Sequence, residues 1–152
     1  MDKKTKIDLA KAEYLQLQSF IDAFDSRAFS TKAWSVTFSL AAVGGAFASH
    51  AAPILLIAAL SAILFWVVEA HWNVIKGAYY FRIEELESFF REEDQPMVPM
   101  QISSSWVRWF RGARHVEFFF AMPRLHVALP HFPIALISGL LYWASYMKWI
   151  TV

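Results

Sequence analysis

Three long runs of this chain carry no fixed charge: 33–52, 53–68 and 125–147. A helix that crosses the hydrocarbon core of a bilayer needs about 20 predominantly apolar residues. The first and third runs reach that length. The second reaches it if its helix continues past Glu69 to His71 or Trp72. Proline is excluded from a helix interior and welcome at a helix start. Ser49-His50-Ala51-Ala52-Pro53 therefore reads as a tight turn between two spans. Three such runs in so short a chain are rare outside membranes.

Composition argues the same way. The chain is 57% hydrophobic and 17% aromatic, and only 18% charged, against about 25% charged in an average soluble domain. A disordered chain would need low hydrophobicity and high net charge. With no Cys there is no disulfide framework and no thiolate metal site. A net charge of +1 gives no electrostatic basis for a nucleic-acid partner.

The expected fold is all-α, one integral membrane domain over 1–152 with three transmembrane helices and long cytosolic stems. Its parts are an amphipathic stem (1–33), span one (34–52), span two (53–72), a second stem (73–91), a basic aromatic interfacial helix (103–122) and span three (125–147). Lys and Arg near span ends set orientation. They cluster before span one and between spans two and three, are absent from the Pro53 turn, and number only Lys148 at the C-terminus. The N-terminus is thus expected in the cytosol.

In the first stem Ile7, Ala10, Tyr14, Leu17, Ile21, Phe24 and Ala28 step by three and four, a helical seam over three heptads. Such a seam packs within one chain or drives self-association. Leu17, Ile21 and Phe24 are its candidate contacts, and Ala41, Gly45 and Ser49 are candidates on a small-residue face of span one. In the second stem Trp72, Ile75, Tyr79, Ile83, Leu86 and Phe90 share a face, and Glu92-Glu93-Asp94-Gln95-Pro96 closes it. Beyond it, an apolar face bearing Trp106 and Trp109 lies opposite Arg108 and Arg111, with Arg114 between. That pattern suits a helix lying among anionic headgroups, and these five are the headgroup candidates.

Glu69 follows an uncharged run and sits at the inner end of span two, at the level where His71, His126 and His131 are expected. Ionisable groups at membrane depth are costly and usually face a partner, a cavity or water. A carboxylate with several imidazoles forms a proton-sensitive cluster at a pore's inner mouth, or pairs with Lys or Arg at the interface. The spacing matches no zinc motif. No catalytic triad, phosphate loop or H-E-x-x-H motif appears, so no enzyme activity, metal or cofactor is expected.

The stretch Phe65-Trp66-Val67-Val68-Glu69, followed by Tyr79-Tyr80, Arg82, Glu84 and Glu87, resembles the SLATT-type bacterial membrane effectors over about residues 6–93. The resemblance implies a two-span core with helical extensions. It also implies an oligomeric pore or membrane-permeabilising role in defence against phage, near nucleotide-signalling genes. Phe65, Trp66, Glu69 and Arg82 would then be structural or gating positions. The basic segment and third run depart from that plan. Three spans cannot enclose a path, so a conduit would need several copies. The alternative is a non-conducting adaptor whose stems dock a cytosolic protein.

Overall fold

A computed structural model describes residues 2–91 and 97–152, with only the backbone path over 113–115. The described chain is helical without strands: α1 (Lys3–Ser49), α2 (Pro53–Arg91), α3 (Ile102–Ala121), α4 (Leu125–Ala128) and α5 (His131–Tyr146). The end expected for the second stem over 92–96 lies outside the described residues.

No Gly or Pro interrupts residues 2–43, and stem and first run form one helix of 47 residues, about 70 Å long at 1.5 Å per residue. It stops where His50 turns left-handed (φ 51°) and the amides of His50 and Ala51 both bond to the Ala46 carbonyl. Histidine is among the few side chains enriched at positive φ. Pro53 then opens α2, whose 39 residues span about 58 Å. The two helices form an antiparallel hairpin with α2 at its centre. α3 runs back along the lower half of α2, and α4 and α5 cover its upper half.

The lower half has a conventional core. Ala10, Leu17, Ile21, Ile83, Leu86 and Met97 are buried, with Tyr14, Tyr79, Phe89 and Ile102 against them. Fully burying a Leu or Ile side chain is worth about 1.5–3 kcal/mol, so this cluster holds the stems together. Phe24 packs its ring on Trp72 (5.6 Å) and Tyr79 (5.5 Å). The seam residues Leu17, Ile21 and Phe24 thus meet α2 of the same chain.

The upper half is inverted. Its buried positions are mostly small or polar (Ser35, Ser39, Ala46, Ala58, Ala62, Ala70 and Ser138), with Leu55 and Val127 as the larger apolar exceptions. Its large apolar side chains point outward, among them Phe38 (59% exposed), Leu60 (60%) and Ile137 (56%). Small interior residues let helix backbones approach closely, and that packing prevails where lipid replaces water.

Where three spans are expected, one helix among the described residues, α2, is both long and apolar enough to cross a membrane, and only 28% of its most apolar stretch is buried. The apolar half of α1 is diluted by Ser35, Thr37, Ser39, Gly44, Gly45 and Ser49. The third run is not one helix. It breaks at Leu129-Pro130, leaving α5 with 16 residues, about 24 Å against a core of about 30 Å. Pro133 sits in the first turn of α5, where an amide has no intrahelical partner to lose.

α3 lies antiparallel on α2 rather than apart from it. Its Ser105 meets Glu85, its Trp109 covers Gly77, and Met122 beyond its end accepts a bond from Trp66. A Cβ on Gly77 would lie 3.0 Å from Trp109 Cζ2, whereas nothing lies within 4 Å of one on Gly112. Gly77→Val is expected to pry α3 from α2 and destabilise the fold by about 1–3 kcal/mol. Gly112→Ala should stabilise it by about 0.5–1 kcal/mol. Thermal unfolding in detergent distinguishes the two; equal shifts would mean that α3 does not seat on Gly77.

Candidate functional site

The polar residues of the upper half gather where the three layers meet. Glu69 of α2 is 3% exposed, and His131 at the start of α5 and Ser35 of α1 are fully buried. His131 Nε2 lies 2.8 Å from Glu69 Oε2, and its Nδ1 lies 2.7 Å from Ser35 Oγ. Lys32 Nζ reaches Glu69 Oε1 at 3.0 Å and donates to the His126 carbonyl at 2.5 Å. In the neutral ring, Nε2 donates to the carboxylate and Nδ1 accepts from the serine hydroxyl. In the imidazolium both nitrogens donate, and Ser35 becomes an acceptor. The arrangement accommodates either state by rotating one hydroxyl.

Ser35, His131 and Glu69 make a serine–imidazole–carboxylate chain, the order that activates a nucleophile. Here Ser35 has no exposed surface, which shuts its oxygen off from a substrate. One turn above it the Ser39 hydroxyl is buried without a hydrogen-bond partner.

Of the four inner-mouth candidates, the structure joins Glu69 and His131 directly. His126 approaches through its carbonyl, and its ring lies 3.1 Å from Asn73 Nδ2. His71 is exposed and apart from the cluster. Among the described residues no three His, Asp or Glu side chains are placed to hold a metal. Lys32, Ser35 and Asn73 were not singled out in the sequence. A lysine spaced one turn before a serine on the seam face is the signal that was there.

A second polar site joins the stems. Glu13 is 2% exposed and receives Arg82 Nε at 2.9 Å and Nη2 at 3.1 Å. It also accepts the Met100 and Gln101 amides at 2.6 and 3.2 Å, which pins the segment leading into α3. Arg82 further donates to Glu85 and to the Val98 carbonyl, both at 2.9 Å, and Arg108 of α3 closes on Glu85. Burial pulls the Arg82 guanidinium down, but the hydrogen bonds and charges of Glu13 and Glu85 outweigh it and hold its pKa above the ordinary arginine value.

Among the headgroup candidates, Arg108 and Trp109 contact α2, Trp106 stacks on Phe110 (4.5 Å, 12°), and Arg111 is exposed. The Arg114 side chain lies outside the described residues. Ala41 and Ser49 are exposed and Gly45 is half-buried, and nothing lies within 4 Å of a Cβ on Gly44 or Gly45. The small face that α1 presents to the bundle is instead Ser35, Ser39 and Ala46. Trp66 donates to the Met122 carbonyl at 3.0 Å and sets its ring edge against Phe132; Phe65 is half-buried.

Compared with known proteins, the chain matches no family model, no curated protein and no solved structure.

Removing one partner of a buried ion pair costs about 3–5 kcal/mol. Arg82→Ala is expected to destabilise the protein by that much and to expose residues 97–101 to trypsin-free proteases such as thermolysin. Arg82→Lys should recover part of the loss, since it keeps the charge without the fork. For the upper site, a double-mutant cycle of Glu69→Gln and His131→Gln should return a coupling of about 1–3 kcal/mol. A coupling near zero would mean the contact contributes nothing.

Proposed function

We propose that this chain is a three-span protein of the bacterial inner membrane, with cytosolic stems, whose copies assemble into an ion-conducting or membrane-permeabilising pore. The observation that carries the reading is the inverted upper half. Most large apolar side chains on α1, α2 and α5 face outward, while the interior, Leu55 apart, is built mainly of small and polar groups. Lipid solvates such a surface and water does not. On this reading the upper half of α1 and the short α5 cross alongside α2. The low hydropathy of α1 comes from polar groups that are hidden from the surroundings: Ser35 and Ser39 are buried, and the exposed Ser49 returns its hydroxyl to the Gly45 carbonyl (2.7 Å).

Assembly is supported by what the single chain leaves open. Its interior is packed, so any conduit runs between copies. The Ala41–Gly45–Ser49 face is turned outward with space around its glycines, as close helix approach requires. Glu69 and His131 then lie at the inner end of each bundle, where their charge state bears on ions that enter. The SLATT-type resemblance of residues 6–93 adds a context of phage defence.

The protein reconstituted in ion-loaded liposomes is expected to leak and to run as an oligomer. Gly45→Leu with Ala41→Leu should lower both without lowering thermal stability, because Ala41 is exposed and nothing lies within 4 Å of a Cβ on Gly45 in the single chain. A leak-free monomer under every condition would remove the pore.

A second reading, a non-conducting adaptor, draws on one observation. A cleft of about 720 Å³ opens between α2, α3 and the segment before α3, with Phe81, Glu84, Ser88, Phe89, Ser104 and Arg108 on its walls. It predicts a cytosolic protein partner that is lost when Ser88→Arg and Ser104→Arg fill the cleft from its walls.

A further inference from the structure

We propose that a cavity of about 240 Å³ between α1, α2 and α4 binds the phosphate of an anionic phospholipid headgroup. The proposal rests on the membrane placement above and gives the inner end of the bundle a ligand.

The cavity sits directly below the uncharged stretch of α2, where Glu69 begins the polar half of that helix. In a bilayer this is the depth of the inner headgroups, which flank a core about 30 Å thick. Lys32 and Lys76 line it, with Trp72, Phe24 and Phe29 as its aromatic walls. An ammonium has three N–H donors. Lys32 commits two, to Glu69 and the His126 carbonyl, and is 29% exposed toward the cavity side. Lys76 commits one to Asp25 Oδ1 at 2.6 Å. Each of these lysines therefore keeps a donor for an incoming oxygen.

Two carboxylates, Asp25 and Glu69, also line the cavity, and each is already matched. Asp25 pairs with Lys76, and Glu69 with Lys32 and His131. Positive charge remains at the margins. The Arg27 guanidinium lies over the rings of Phe24 (5.5 Å) and Trp72 (5.9 Å), which fixes its plane beside the opening. Arg124 donates to Asn73 Oδ1 at 2.9 Å and meets Glu117 only at 3.4 Å. Phe29 (76% exposed) at the cavity wall and Trp34 (61%) above Lys32 turn apolar faces outward where acyl chains would run. Basic recesses between membrane helices on the cytoplasmic side are the usual seats of anionic headgroups.

Occupancy would act on the polar cluster. A phosphate that takes the spare donor of Lys32 shares that ammonium with Glu69 and weakens its hold on the carboxylate, which keeps its contact with His131 Nε2. The state of the lipid is thereby transmitted to the buried end of α5.

The test uses the full chain in a neutral detergent, titrated with dioctanoyl phosphatidylglycerol, dioctanoyl phosphatidylcholine or inorganic phosphate. Thermal stability and lipid adducts by native mass spectrometry are the readouts. Saturable stabilisation by the anionic lipid is expected, together with about a tenfold loss of apparent affinity in Arg27→Gln/Lys76→Gln, the size of one charge-assisted hydrogen bond. Lys76→Arg should retain binding, and Arg111→Gln on α3 should not alter it. If the double variant loses its helical signal, Arg27→Gln alone carries the comparison, since Arg27 is exposed. No saturation, equal stabilisation by the choline lipid, or indifference to the Arg27 and Lys76 changes would overturn the site. Inorganic phosphate matching the lipid would reassign it to free phosphate and overturn the lipid assignment. Solubility without detergent would instead sink the membrane placement, which this titration does not measure.

Discussion

A carboxylate buried on an otherwise apolar helix face must find a cation, and the register of the whole hairpin follows from where Glu13 finds one. Its two oxygens take the Arg82 fork and the amides of Met100 and Gln101. Slipping α1 against α2 by one helical turn, about 5.4 Å, would leave Glu13 and Arg82 buried and unpaired. A bare buried pair of this kind is weak evidence for net stability, because desolvation offsets attraction. Its value here is positional: the same two residues fix α1, α2 and the start of α3 at once.

The upper half solves the same problem with different chemistry. The face of α1 that carries Ala10, Glu13, Leu17 and Ile21 continues upward through Ser35, Ser39 and Ala46 without changing side. Below, it meets large apolar partners. Above, it meets alanines of α2 and the start of α5, and the bulk of the side chains moves to the outside. One helix face thus backs two kinds of core. The change occurs at Lys32 and Ser35, beside Glu69, where a polar cluster separates the two kinds of core.

Much of this organisation was legible in the sequence. The Pro53 turn, the two long stems and their apolar seam follow from helical period and from where proline is tolerated. Glu69 and His131 stood out as ionisable residues within apolar runs, and the structure places them 2.8 Å apart. Glu13 was hidden because Tyr14 beside it satisfies the same three-four spacing with an apolar ring. Period alone does not say which of two adjacent residues faces the partner. Charge-free length makes the third run one span, whereas Pro130 and Pro133 allow a kinked or re-entrant segment, and the structure breaks it at Leu129-Pro130 into α4 and α5. The Ala41–Gly45–Ser49 stripe was recognised as a close-packing face. Its outward direction depends on which side of α1 the seam below had already claimed.

That break has a structural consequence. A continuous helix from Leu125 would carry His126 and His131 five residues apart, on different faces. The break instead lets His126 turn its carbonyl to Lys32 while His131 opens a new helix with its ring between Glu69 and Ser35. Two residues of one apolar run thereby reach opposite ends of the same Lys32–Glu69 pair. α5 is consequently held at its base by hydrogen bonds to both other helices of the upper bundle. Any rearrangement of the upper bundle must therefore begin by exchanging partners around Glu69, or leave that base intact and move the far ends of the helices.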